Sequence, residues 1–310
     1  MRNTFIDTLT ELAAADPRIW LVTGDLGFSV LERFAERFPG RYLNVGVAEQ
    51  NMTGMAAGIS TTGKVVFTYS IANFPVMRCL EQVRNDICYH NLNVKIVAVG
   101  GGFGYGSAGY THHGLEDLAV MSALPNMTVL APGDPVETRL AVRAIVQHPA
   151  PCYLRLGKGG EPVVHTSEPR FEIGKAIPLM SGKDLTLIST GGILSIVMSA
   201  ARALEAAGFS VGVLSMPTVS PLDRDAVLAA AAASRALLTV EEHAPGGLGS
   251  RVAEALAVAG AGIPFAMLTA DRSHLHLAGS QDYLRDHSGL SLEAILAKAR
   301  DLLASGRNAG

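Results

Sequence analysis

Short apolar runs alternate with longer amphipathic ones from the first residues onward, and no other feature constrains the fold of this chain as tightly. Phe5, Leu9 and Leu12 stand at helical spacing, and "RIWLVTGD" is a short strand ending in a Gly-Asp turn. "SVLERFAERF" is amphipathic, "RYLNV" and "KVVFTYS" are strands, and the stretch between them, from Glu49 to Ser60, reads as a helix. "PVMRCLEQVRNDICYH" reads as one further helix. The strands "NVKIVAVGGG" and "MTVLAP", the helix "DPVETRLAVRAIVQH" and the strand "PCYLRL" follow. Strands that alternate with helices in this way form a parallel sheet covered on both faces, because each crossover lays a helix against the sheet.

The rhythm breaks in "GKGGEPVVHTSEPRFEIGKAIPLMSG", rich in Gly, Pro and charge, which reads as a linker with room for a short hairpin. A second α/β pattern then runs from "DLTLIST" through "ILSIVMSAARALEAAG" and "FSVGVLSM" to "RALLTVEE", "LGSRVAEALAVAG" and "IPFAMLTA". The expected fold class is α/β with two domains, each a mostly parallel sheet with helices on both faces. Residues 1–158 form the first domain, 159–182 the linker and 183–310 the second domain.

Composition narrows the function classes. Of 310 residues, 48% are hydrophobic and 17% charged, enough apolar material for two buried cores and too little charge for disorder. A net charge of −3 gives no electrostatic reason for a nucleic acid or an anionic membrane as partner. The low charge fraction instead favours a surface covered by another subunit. Cys79, Cys88 and Cys152 lack metal-ligand spacing and read as reduced core thiols of a cytoplasmic protein. The N-terminus lacks the apolar core of a signal peptide, and no run approaches the roughly 20 apolar residues that span a bilayer.

Four segments carry candidate chemistry. "NVGVAEQNMTGMAAGIS" places the acid Glu49 at a helix start among Val45, Val47, Met52 and Met55. A carboxyl in such a wall is protonated more readily and can donate a hydrogen bond, although an acid in a first turn also simply complements the helix dipole. "VGGGFGYGSAGYTHHG" satisfies a dinucleotide pattern at Gly104, Gly106 and Gly109. These glycines lie past the strand end, however, and no helix starts at once to meet a pyrophosphate. A glycine loop ending in Thr111, His112 and His113 is better suited to lining a crevice at the strands' carboxyl ends, where each histidine also has backbone partners within reach. "SIANFPVMRC" sets Tyr69 and Phe74 at a strand-to-helix junction, as binding aromatics or as core. Arg155 and Lys158 are cations at a strand end, suited to an anion or to solvent.

In this order, the segments resemble the C-terminal half of transketolase: a pyrimidine-binding domain followed by the transketolase C-terminal domain. The same pair is found in 2-oxo acid dehydrogenase beta subunits and in deoxyxylulose-phosphate synthase. "NVGVAEQN" is similar to the family's glutamate segment, "YTHHGLED" to its Thr-His substrate loop, and "RALLTVEEHAPGGLGSRVAEAL" with "DYLRDHSGLSLEAI" to its second domain. The resemblance implies thiamine diphosphate as cofactor. Glu49 would meet N1′ of the aminopyrimidine and help ionise the thiazolium. Phe74 would stack on that ring, with Tyr69 or Phe67 as the other candidate aromatics, and Glu49, Phe74, Tyr69 and Gln50 would bind the cofactor. His112 would be catalytic with Glu49 and would bind the substrate together with His113, and Arg155 would hold a substrate phosphate.

Three departures qualify the resemblance. Ala108 stands where transketolases carry a sugar-reading Asp, and Gly100 where they carry a phosphate-binding His, so the usual pentose phosphates are in doubt. Gly24–Gly27, Gly-Asp-Leu-Gly, lacks the context of the family's diphosphate and Mg²⁺ motif. The expected protein is therefore the second subunit of a split, two-subunit transketolase. It would transfer a two-carbon ketol unit between sugars or sugar phosphates in an α2β2 assembly whose other subunit holds most of the Mg²⁺ and diphosphate site. The alternatives are a 2-oxo acid dehydrogenase beta subunit acylating lipoamide, and a non-catalytic scaffold.

Overall fold

The computed structural model describes residues 1–305. Among them the first sheet contains β1 (Ile19–Thr23), β2 (Tyr42–Asn44), β3 (Val65–Ile71), β4 (Val94–Val99), β5 (Thr128–Leu130) and β6 (Cys152–Leu156), all parallel to their neighbours. The helices that precede or connect them are α1 (Arg2–Ala15), α2 (Glu32–Arg37), α3 (Glu49–Ser60), α4 (Leu80–Gln82), α5 (Asp117–Ser122) and α6 (Pro135–Gln147). Alternation along β3 sends Val65, Phe67 and Tyr69 to a core with α1 and α6, and Val66 to a second core with Met52, Ala56 and Ala57 of α3. Each large apolar side chain fully buried in these cores contributes about 2 kcal/mol.

The second sheet is built from β7 (Ile177–Met180), β8 (Leu185–Thr190), β9 (Val211–Ser215), β11 (Leu237–Glu241) and β12 (Phe265–Leu268), in the order β12-β11-β8-β9-β7. Its helices are α7 (Leu194–Ala206), α8 (Arg224–Ala233), α9 (Leu248–Ala259), α10 (Gln281–His287) and α11 (Leu292–Ser305). The linker's expected hairpin does not form. Ile177–Met180 instead becomes an edge strand antiparallel to β9, because Ile177 and Pro178 find register partners in Ser215 and Leu214. One strand, β10 (Thr218–Ser220), leaves the second half and pairs antiparallel with β5, so the two halves share the first sheet.

The linker is pinned rather than loose. Asp134 caps α6 by accepting from Glu137 N at 2.8 Å, and its other oxygen accepts from the backbone N–H of Val164 and His165 and from His165 Nδ1 at 3.0 Å. The three cysteines are buried and free, and burial pushes the Cys88 thiol up to about 12. No helix among the described residues is long and apolar enough to cross a membrane.

Candidate active site

The carboxyl ends of β1 to β4 lie side by side, at the edge where such sheets place their ligand crevice, and Glu49 stands there as the first residue of α3. Ala48 offers the helix no side-chain cap, and Glu49 is the one acid of the first turn, where it complements the helix dipole. It is 2% exposed. Gly24, just past the end of β1, borders it: a Cβ there would be in van der Waals contact with Glu49 Cγ at 3.4 Å. The wall is less apolar than the sequence suggested. Val47 is 76% exposed, and Arg78 Nη1 donates to Glu49 Oε2 at 2.7 Å.

Arg78 reaches the acid because the expected continuous helix is not continuous. Phe74–Arg78 and Val83–Cys88 are π-helical turns on either side of α4, and Cys79 between them has φ −111°. Such widened turns recur where a helix must aim side chains at a site. Here the turn stacks the Arg78 guanidinium over Phe74, Cζ lying 4.6 Å from the ring centroid. A second neighbour of Phe74 is His112, edge-on at 5.2 Å and 67°. Asn73 Nδ2 donates to Thr111 O at 2.8 Å, and Thr111 Oγ1 lies 2.9 Å from His112 Nδ1, which ties the histidine loop to the same turn. Glu49, Arg78, Phe74 and His112 thus form one unbroken line of contacts.

Among known proteins, the model of the transketolase pyrimidine-binding domain matches residues 1–161, and that of the transketolase C-terminal domain matches residues 174–295. The chain belongs to the transketolase family. It is 38% identical to an apulose-4-phosphate transketolase subunit of Phocaeicola vulgatus over 310 residues, 97% of each protein. A 6-deoxy-6-sulfo-D-fructose transketolase subunit, SqwH of Clostridium sp. (strain MSTE9), is 36% identical over 97% of this chain and 94% of that one. A solved structure described as a split gene transketolase, inactive beta4 tetramer, superposes with a TM-score of 0.88 at 37% identity, covering 98% of this chain and 97% of that one.

Against that family frame, the expected site residues divide. Glu49, Phe74 and His112 come together. Gln50 is exposed, beside but not inside the contact line. Tyr69 and Phe67 do not reach the crevice: strand alternation turns both into the opposite core, where Tyr69 stacks on Phe5 at 6.0 Å. His113 is buried beneath the loop, edge-on to Phe103 at 5.3 Å, and burial holds its imidazole below the ordinary range. It supports the loop and has no open face for a ligand.

Arg155 is the clearest correction. The expected phosphate-binding cation is 5% exposed and already engaged, its Nη2 donating to Gly114 O at 2.6 Å and Glu242 O at 2.9 Å. Its Nε lies 2.9 Å from Asp117 Oδ2, a charge contact without the alignment of a hydrogen bond. Position 100 has its own reason for lacking a histidine. Gly100 has φ +77°, and the Tyr105 ring fills the space any Cβ would need. The residue that sequence reading missed is Arg78. Its four-residue spacing from Phe74 was the only local signal, and it implies a shared helix face rather than a partner for Glu49. Among the described residues, no group of three or more His, Cys, Asp or Glu side chains is arranged to hold a metal.

Proposed function

We propose that this chain is the pyrimidine-binding subunit of a thiamine-diphosphate-dependent transketolase, completed by a separate subunit that supplies the diphosphate and Mg²⁺ sites in an α2β2 assembly in the cytoplasm. The observation that carries the reading is the seat formed by Glu49 and Phe74. Arg78, a flat nitrogen-rich group, stacks on Phe74 and bonds to the Glu49 carboxylate. A protonatable aminopyrimidine needs the same two contacts, so the residues present fit the cofactor's ring.

When bound, thiamine diphosphate supplies the carbon nucleophile that a two-carbon ketol transfer requires. This chain's own residues do the rest. Glu49 offers a buried carboxyl to the ring nitrogen and exchanges a proton with it. Phe74 gives the ring a stacking face, and His112 presents an imidazole to the substrate oxygens. Arg78 gives way as the ring enters, and with 47% of its side chain exposed it has solvent to turn into. Gly100 and Ala108 bring no polar side chain, and Arg155 is committed to internal partners. The favoured substrate is therefore a ketose or aldose outside the common pentose-phosphate set. The relatives named for apulose-4-phosphate and sulfofructose are consistent with such a class.

The test mixes this chain with its diphosphate-binding partner, thiamine diphosphate and Mg²⁺, and follows ketol transfer from hydroxypyruvate alongside acylation of a lipoyl domain. Ketol transfer that falls by orders of magnitude in Glu49→Ala supports the reading. Near-full turnover by that variant sinks it, and lipoyl acylation in place of ketol transfer would move the chain to the dehydrogenase class.

A further inference from the structure

The loop that carries His112 contains Gly100, Gly101, Gly102, Gly104, Gly106 and Gly109. So many glycines give a backbone with wide conformational freedom, which must be removed if the histidine is to meet a substrate at a fixed place. The first domain supplies part of that restraint, through the Gly102–Gly114 bridge, the bonds from Gly100 N and Gly101 N to Leu156 O, and the Asn73 bond to Thr111 O. The second domain adds to it.

Glu242 directly follows β11 at the carboxyl end of the second sheet and projects a buried carboxylate into the loop. Its Oε1 accepts from Phe103 N at 2.6 Å, while Gly102, at φ +66°, leaves room that any Cβ would take from the carboxylate. The carboxylate is itself held. Gln281 and Arg285, four residues apart on one face of α10, donate to it from Nε2 at 2.9 Å and from Nε at 2.6 Å. Arg285 Nη2 adds a second contact at 2.6 Å. Beyond Phe103 the restraint passes through the edge-on Phe103–His113 pair, and Gly279 N donates to Gly106 O at 3.2 Å. Phe103 also packs into the second domain's apolar core beside Leu284, so the loop is anchored to that domain by an apolar contact and by the Glu242 carboxylate together.

We infer that Glu242 is a positioning residue that fixes the His112 loop from the second domain and thereby sets the affinity for the ketol substrate without touching the cofactor seat. The inference rests on the reading above that His112 meets the substrate. In its terms, Gln281 and Arg285 work through Glu242, and the second domain shapes the site it does not line.

Hydrogen exchange on the full chain tests the restraint, and steady-state kinetics of the chain with its partner subunit tests its consequence. Loss of a charge-assisted bond in Glu242→Ala should speed exchange of the amides between Gly102 and His113 by about 10-fold or more while leaving β4 unchanged. In the complex it should raise KM for hydroxypyruvate by about 10-fold, with cofactor affinity within about twofold of the parent, whereas Glu242→Gln, which keeps an acceptor for Phe103 N, recovers most of the loss. If Glu242→Ala does not fold, Gln281→Ala, which removes one donor to the same carboxylate, should give the same pattern at smaller size. Unchanged loop exchange overturns the inference, and so does a loosened loop with an unchanged KM. Should the parent complex itself show no ketol transfer, the functional reading fails, and the exchange arm still decides whether Glu242 fixes the loop.

Discussion

Arg78 and Glu49 form a pair whose halves live in different solvents, since the arginine is half exposed and the acid is enclosed. Screening discounts such a pair to about 1 kcal/mol, but removing the arginine alone leaves a buried acid unpaired, which costs about 1–3 kcal/mol. Arg78→Met should therefore lower the thermal midpoint by a few degrees. Glu49→Gln in the same background should restore most of it, and a double-mutant cycle should return a coupling of about 1 kcal/mol. Additive effects would show that the contact contributes nothing. At this scale the sequence was informative where a residue type was odd for its place. An acid at the head of an apolar helix could be singled out without coordinates. Arg78 could not, because its partner lies 29 residues away and is reached only through a widened turn. The fate of Arg155 was hidden for a related reason: its partners Gly114 and Glu242 come from two separate regions of the chain.

The linker shows how one short element can depend on charge. Burial raises the Asp134 carboxyl, but the bonds it accepts from His165, Glu137 and Val164 outweigh that and hold it at about 2. Burial likewise lowers His165, but its hydrogen bond to Asp134 and the charge of Glu137 together outweigh that, leaving the imidazole above its ordinary value. For His165 the stabilising contribution is complete below the unfolded value of about 6.5 and is lost as pH rises through the raised one. For Asp134 the contribution is present above about 4 and is lost as pH falls through about 2. The clasp is thus firmest between about pH 4 and 6.5. An NMR titration should place His165 above the ordinary histidine value, and Asp134→Asn should bring it down; a parent value at or below the ordinary one contradicts the clasp. Asp134→Ala, which removes a helix cap and the histidine's partner together, should cost about 2–4 kcal/mol and lower the thermal midpoint by about 5–10 °C. The regular elements were legible because period-2 and period-3.6 patterns report burial directly. β7 and β10 were not, since both are short edge strands whose pairing depends on distant partners.

The two halves of the molecule meet across buried polar groups, and one of them makes the whole sensitive to acid. His243 is fully buried, its Nε2 accepts from Leu118 N at 3.1 Å, and its Nδ1 donates to Ala244 O at 2.6 Å, a pattern only the neutral ring can make. Burial lowers its value to about 4. The unfolded chain takes up a proton near pH 6.5 that the folded one refuses, so stability falls as pH drops from about 6.5 to about 4, by about 3 kcal/mol. Thermal midpoints measured across that range should fall, and His243→Asn should flatten the fall; an unchanged slope in the variant assigns the acid sensitivity elsewhere. The two-sheet plan and the Glu49–His112 half of the crevice were readable from the chain. The clamp between domains was not, because Glu242, Gln281 and Arg285 sit in segments whose local pattern says only strand end and helix.

The proposal is that this chain carries half a site: the seat for a pyrimidine and the histidine loop, with the diphosphate held by a partner subunit. Calorimetric titration of thiamine diphosphate with Mg²⁺ into this chain, into its partner subunit and into their equimolar mixture tests it most directly. Tight binding and ketol transfer are expected in the mixture, with weak or undetectable binding and no turnover by this chain alone. Tight cofactor binding and full turnover by this chain in the absence of any partner would contradict it.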